Sequence, residues 1–230
     1  MIFGGIQHTS LIDYPGKISA VLFTAGCNLA CPYCHNPDLV NGLLAQPLSE
    51  TKVIEYLHQR RNWLEAVVVS GGEPTLQERL TDFCETVKQM GYAVKLDTNG
   101  SRPAIIKTLL ARQLLDYVAM DVKGDPHGCD SRLGGHLDPD VLPESIRVIQ
   151  QHALAYEFRT TCARPFIDAA TIDRIARAIQ GASRYVLQTF RPVRVLDRQW
   201  LLNQPLQFEP SDLLQLKAVA EPWVKHCQVR

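Results

Sequence analysis

The chain has no surplus of charge in either direction: 24 Lys and Arg residues stand against 24 Asp and Glu in 230 residues. Without a basic excess or a block of like charge, nothing marks a nucleic-acid partner, and none is expected. The N-terminal stretch MIFGGIQH has no basic segment ahead of a long apolar core, so it does not read as a signal peptide. No apolar run approaches the roughly 20 residues that span a bilayer. A cytoplasmic location with no membrane partner is therefore expected. Linkers, composition breaks and low-complexity segments are missing too, which predicts one domain over residues 1–230. There is no Ser/His/Asp set and no phosphate-binding loop. His8, His35, His127 and His136 are not spaced as a metal-ligand pair on a helix.

What is present is a globular composition, with enough length and apolar content for a sizeable core. Cysteine stands out. There are 7, an odd number. Cys84, Cys129, Cys162 and Cys227 are scattered and read as small apolar core residues, although Cys129, in a long loop, could also be a functional thiol. The other three crowd into CNLACPYCHNP, as Cys27, Cys31 and Cys34. In a reducing compartment clustered cysteines point to metal ligation rather than to disulfides. Four would close a tetrahedral zinc site or fill every corner of a cubane cluster. Three leave one position open, which is where chemistry can occur. Two readings follow: an iron–sulfur cluster with a free corner, or a zinc site completed by His35 or another residue. No second Cys-x-x-Cys pair is available to a structural zinc.

Short apolar runs at residues 18–24, 66–70, 93–97, 117–122, 155–160 and 185–190 read as strands buried on both faces. Helical periodicity fills the gaps, at 50–61, 76–90, 105–115, 143–152, 171–180 and 213–220. Strand–helix alternation of this kind predicts an α/β fold with a parallel sheet and right-handed crossovers. The sheet could be open and doubly wound or curved toward a barrel, and six units are too few for a complete eight-stranded barrel. A long Gly- and Pro-containing loop, 124–139, has the length of a lid or a partner contact.

The distinctive polar residues fall at the C-terminal ends of these strands. The cysteine loop follows the first, Gly71-Gly72-Glu73-Pro74 the second, Asp97-Thr98-Asn99-Gly100 ends the third and Asp121-Val122-Lys123 the fourth. Ligands of parallel α/β folds bind at that edge, so these motifs should converge. The glycines allow close backbone approach, and Glu73 offers a carboxylate to a cationic amine. Asp97 and Asp121 need partners if buried: Lys123, or a hard cation held through oxygen. Arg159 is a further charge in a predicted interior; Gln188 and Arg191 end the sixth strand.

Together the TSLIDYPG run at Thr9–Gly16, the Cys27-x3-Cys31-x2-Cys34 loop with Tyr33 and His35-Asn36-Pro37, and the three later motifs resemble the radical S-adenosylmethionine (SAM) superfamily. Within it they resemble the activating enzymes of glycyl radical enzymes, those of anaerobic ribonucleoside-triphosphate reductase above all. The resemblance covers the first 125 residues. It implies a single-domain, incomplete (β/α)6 TIM-like barrel of parallel strands. It implies a [4Fe–4S] cluster on Cys27, Cys31 and Cys34, with SAM on the open iron. Gly72 and Glu73 would hold the methionine amine, and Tyr33, Cys34 and His35 would line the adenine side. Asp97, Asn99, Asp121 and Lys123 would lie around the cofactor carboxylate, with a monovalent cation among them. Reductive cleavage of SAM would give a 5′-deoxyadenosyl radical that takes hydrogen from a glycine of the partner enzyme, with no catalytic side chain beyond cluster and cofactor. A flavodoxin- or ferredoxin-like electron donor is implied. The runner-up functions are activation of a pyruvate formate-lyase type enzyme and radical chemistry on a small deazapurine precursor. A non-enzymatic metal protein fits less well, since an electron carrier would have a fourth cysteine.

Overall fold

The computed structural model describes residues 1–128, 131–135, 137–202 and 207–230; Cys129 and His136, both in the 124–139 loop, lie outside the described residues. Strand β1 (Ile2–Ser10) precedes β2 (Ser19–Thr24), the cysteine loop, α1 (Pro37–Asn41), β3 (Leu48–Ser49), α2 (Glu50–Gln59) and β4 (Ala66–Gly71). Then follow α3 (Leu80–Gln89), β5 (Ala93–Thr98), α4 (Pro103–Ala111), β6 (Tyr117–Asp121), α5 (Val141–His152) and β7 (Tyr156–Cys162). The chain ends with α6 (Ala169–Ala178), β8 (Tyr185–Thr189), α7 (Arg198–Leu202), α8 (Pro210–Ala220) and β9 (Cys227–Val229). Helix starts follow local chemistry. Ser49 caps α2 by accepting from Lys52 N, and Asp168 caps α6 by accepting from Thr171 N. Pro74 opens a 3-10 turn and the backbone extends at Gln77, so α3 starts at Leu80 rather than at 76.

The strands form one nine-stranded sheet in the order β3-β1-β2-β4-β5-β6-β7-β8-β9. From β2 onward the pairing is parallel, as the alternation predicts, and follows chain order, as the barrel implied by the resemblance has it. Among the described residues no pairing joins the two ends of the sheet, so the barrel stays open. The six predicted strands are β2 and β4 to β8. Unforeseen are β1 and β3, which pair antiparallel at one end, and β9, which extends the other. Gly4 and Gly5 weaken the strand signal of β1, and β3 and β9 are too short to show a period. These segments are strands because the sheet offers them an edge.

Alternation along each strand sorts the side chains between two faces. One face carries Leu22, Val67, Val69, Val94, Leu96, Val118 and Met120, packed with the helices into the main core. Fully burying such a side chain contributes about 1.5–3 kcal/mol. The concave face holds a smaller apolar cluster of Tyr14, Val21, Ala66, Val68, Tyr117 and Ala119. Tyr14 stands in the loop after β1, and its ring centroid lies 5.9 Å from that of Tyr117. Lys95 Nζ ties the same loop down by donating to Asp13 O at 2.6 Å. Further along the concave face, toward the C-terminal ends of the strands, apolar residues give way to Ser70, Asp97, Asp121 and Arg159.

Candidate active site

The turn after β4 is laced to the start of the cysteine loop. Gly72 N donates to Thr24 O at 2.9 Å, Glu73 N to Gly26 O at 2.8 Å, and Gln77 Nε2 to Ala25 O at 2.8 Å. Contact is so close that a Cβ on Gly72 would lie 1.9 Å from Gly26 O. On the other side Ala30 N donates to Leu133 O at 2.8 Å. A Cβ on Gly135 would come within 2.6 Å of Asn28 O. Residues 133–135 thus pack backbone to backbone on the cysteine loop.

Cys27, Cys31 and Cys34 all line one cavity of about 190 Å³, with Gly72, Asp97, Asn99, Asp121 and Lys123 also in its wall. Burial pushes the Cys27 thiol up to about 11 and raises that of Cys31. Asn99 binds the loop directly: Nδ2 donates to Asn28 Oδ1 at 3.0 Å and approaches Cys27 Sγ at 3.9 Å. The sequence motifs therefore converge as their placement at strand ends predicts.

Glu73 departs from expectation. Its carboxylate is fully buried and does not line the cavity. Oε1 accepts from Thr75 N at 3.1 Å, Thr75 Oγ1 at 2.5 Å and Thr98 Oγ1 at 2.8 Å; Oε2 accepts from Asn99 N at 2.7 Å. Burial raises its pKa, and these four donors offset part of that rise. The carboxylate is turned to these donors and away from the cavity. Glu73 is instead a bracket that fixes the β5 loop, and Asn99 with it, against the β4 turn. Its place in a Gly-Gly-Glu-Pro run reads equally well either way; only the hydrogen bonds separate them.

A charged ladder runs across the cavity wall. Arg159 Nε donates to Asp121 Oδ1 at 2.7 Å and Nη1 lies 3.4 Å from Asp97 Oδ2. Lys123 Nζ donates to Asp121 Oδ2 at 3.2 Å, as one of the alternatives from the sequence has it. Lys95 Nζ pairs with Asp97 Oδ1 at 2.9 Å, and Ser70 Oγ donates to Oδ2 at 3.1 Å. Burial alone would raise both Asp pKa values. Arg159 outweighs it with Lys95 at Asp97, lowering the value, and with Lys123 at Asp121, taking it down to about 2. Burial likewise opposes a charged Lys123, but Asp121 and the neighbouring thiols hold its pKa well above the usual lysine value. Arg191 is exposed and outside this wall, so Arg159 is the arginine that reaches the site.

Tyr33 is packed among Phe166, Phe190 and Trp200, with centroids at 5.2, 6.4 and 6.1 Å. Its hydroxyl is buried and lacks a hydrogen-bond partner among the described residues. His35 stacks against Phe190 at 5.6 Å and also lines the cavity; burial lowers its pKa. The segment after β8 therefore closes onto the cysteine loop. Asp197 N donates to Pro32 O at 3.1 Å, and Arg194 grips both oxygens of Asp38 at 2.8 and 2.9 Å.

Residues 21–142 match the model of the radical SAM superfamily. A Methanocaldococcus jannaschii protein, provisionally named a glycyl-radical enzyme activating enzyme, is 32% identical over 100% of this chain and 95% of its own. The pyruvate formate-lyase-activating enzyme of Clostridium pasteurianum is 33% identical over 51% of this chain and 50% of its own. In fold the chain is similar to a radical SAM methyltransferase from Sphaerobacter thermophilus, with a TM-score of 0.70, 16% identity, and coverage of 96% and 68%. Three thiols on one cavity at the strand ends of an open barrel, and a family match that spans the same residues, lead to one conclusion: the chain belongs to the radical SAM superfamily.

Proposed function

We propose that this protein activates a glycyl radical enzyme, with Cys27, Cys31 and Cys34 as ligands of the family's [4Fe–4S] cluster. The chain is an enzyme of radical SAM chemistry and uses that cluster with SAM. The residues present fit the pair. The three thiols line a shared cavity rather than meeting at a point, and among the described residues no three His, Cys, Asp or Glu side chains converge on a single-ion site. A cubane takes each cysteine on a different iron, so ligands spread around a cavity suit it. The unpartnered Tyr33 hydroxyl leaves a donor free beside it.

The observation that carries the reading is the convergence of three thiols, Cys31 buried and Cys27 and Cys34 half-buried, and a positively overbalanced carboxylate ladder on one cavity. Once bound, the cluster and SAM supply a reductively generated 5′-deoxyadenosyl radical. The protein's own part is to hold and to exclude. Gly72 lets the β4 turn close on Gly26 of the cysteine loop, Asn99 steadies the Cys27 arm, and Lys123 and Arg159 keep fixed positive charge at the wall. Tyr33, Phe166, Phe190 and Trp200 seal the cysteine loop from behind. A glycine loop of the partner would enter at the C-terminal ends of the strands, where the cavity lies. Kinship over the full chain with an activating enzyme supports this partner class. Within that class we favour anaerobic ribonucleoside-triphosphate reductase, with a pyruvate formate-lyase type enzyme as the alternative. A flavodoxin- or ferredoxin-like protein is the proposed electron donor. Residues 1–230 would act as one unit.

The test is anaerobic reconstitution. About four irons and four sulfides per chain are expected, with reductant-dependent release of 5′-deoxyadenosine. Mixing with each candidate partner should give a glycyl radical signal in electron paramagnetic resonance with one of them. A colourless protein that leaves SAM intact would overturn the proposal.

A further inference from the structure

We propose that Arg159 is the resident cation of the cavity, so that the chain takes up SAM without a bound sodium or potassium ion. This rests on the SAM-binding reading above. Among the motif residues, Asp97 and Asp121 are the pair that would hold such an ion. A hard cation needs oxygens with negative charge to spare, and ion pairs already offset both of these carboxylates. Each of the four carboxylate oxygens lies within ion-pair distance of a cation: Arg159 at Asp97 Oδ2, where Ser70 also donates, Lys95 at Asp97 Oδ1, which has this ion pair but no hydrogen bond among the described residues, Arg159 at Asp121 Oδ1 and Lys123 at Asp121 Oδ2. Two carboxylates stand against three cations, so the local balance is positive before any ion arrives. A further cation at contact distance would be repelled by the groups that occupy its ligands.

The strands build this arrangement. Asp121 and Arg159 are register partners on β6 and β7, and Asp97 is the register partner of Ala119. Ala119 is small, so the guanidinium reaches over it to the second carboxylate. Its planar fork holds both at fixed angles, which a mobile ion would not. The surplus positive charge faces the cavity and has the sign needed to receive an amino-acid carboxylate.

The test compares SAM binding by calorimetry to the cluster-loaded protein in choline, sodium and potassium chloride at equal ionic strength. Dissociation constants equal within about twofold are expected; tightening of fivefold or more by sodium or potassium overturns the inference. Arg159→Gln is expected to lose at least tenfold in affinity in choline and to recover part of it in sodium or potassium. Identical behaviour of this variant and wild type in all three salts would equally overturn it. Where the Gln variant does not hold its cluster, Arg159→Lys replaces it: weaker binding that stays salt-independent is expected, and salt-dependent binding counts against the claim. A last arm needs no SAM. Specific broadening of the sodium-23 resonance by wild-type protein, reversed by potassium, would refute the resident cation even if SAM failed to bind, whereas failure of binding in every salt refutes the activating function instead.

Discussion

At the scale of single residues, the site separates groups proposed to touch the cofactor from groups that hold other groups. Replacing Cys27, Cys31 or Cys34 with Ala is expected to abolish the visible absorption of the reconstituted cluster and 5′-deoxyadenosine release together; a brown, active variant would remove that cysteine from the ligand set. Glu73 belongs to the second kind. Glu73→Gln turns an acceptor of four hydrogen bonds into a partial donor facing buried donors, at a cost of about 2–4 kcal/mol. For a chain of this size that is a melting-temperature drop of roughly 5–15 °C. An unchanged melting point with weaker SAM binding would restore Glu73 to the cofactor. Asp121 gives a pH dependence. Its folded pKa of about 2 lies below the unfolded carboxylate value. The folded state thus binds fewer protons, so the stabilisation is complete above about pH 4 and is lost as pH falls from about 4 to 2, amounting to on the order of 2 kcal/mol. Asp121→Asn should flatten that limb of an acid titration followed by circular dichroism. Residue identity made the thiols and carboxylates visible in the sequence, because few other side chains can do their chemistry. It did not show that Glu73 turns inward, since direction depends on which donors the fold brings near.

At the scale of elements, the parallel strands were legible almost to the residue, because burial on both faces leaves short apolar runs. The edge strands were not: Gly4 and Gly5 in β1 and the brevity of β3 and β9 erase the period, and pairing alone makes them strands. The contact between loops was equally hidden. Gly72 and Gly135 meet backbone from the cysteine loop, and no local pattern announces a neighbour so distant in the chain. Gly72→Ala is therefore expected to block cluster assembly, seen as iron content well below wild type after reconstitution. Gly124→Ala is the control, since a Cβ there meets nothing within 4 Å. Equal iron content in the two variants would show that the β4 turn tolerates displacement.

For the molecule as a whole, the parallel direction of β2 and β4 to β8 followed from alternation and their order from the resemblance, whereas the way the mouth is shut followed from neither. Trp200, Phe190 and the Arg194–Asp38 pair carry the segment after β8 across to the loop after β2, on the side where no strand pairing closes the barrel. Trp200→Ala should leave cluster content intact but speed its bleaching in air severalfold, by absorbance decay; an unchanged rate would mean that this seal does not limit oxygen entry.

The sheet from β2 to β8 also carries a timetable. Its strands lie side by side in the order in which the ribosome delivers them, so each new unit finds its neighbour already made. The cavity wall, however, draws on residues from Cys27 to Thr161. At ordinary translation speed its last pieces emerge on the order of ten seconds after the cysteines. Metal delivery must therefore wait on a nascent chain whose thiols come first and whose counter-charges come last.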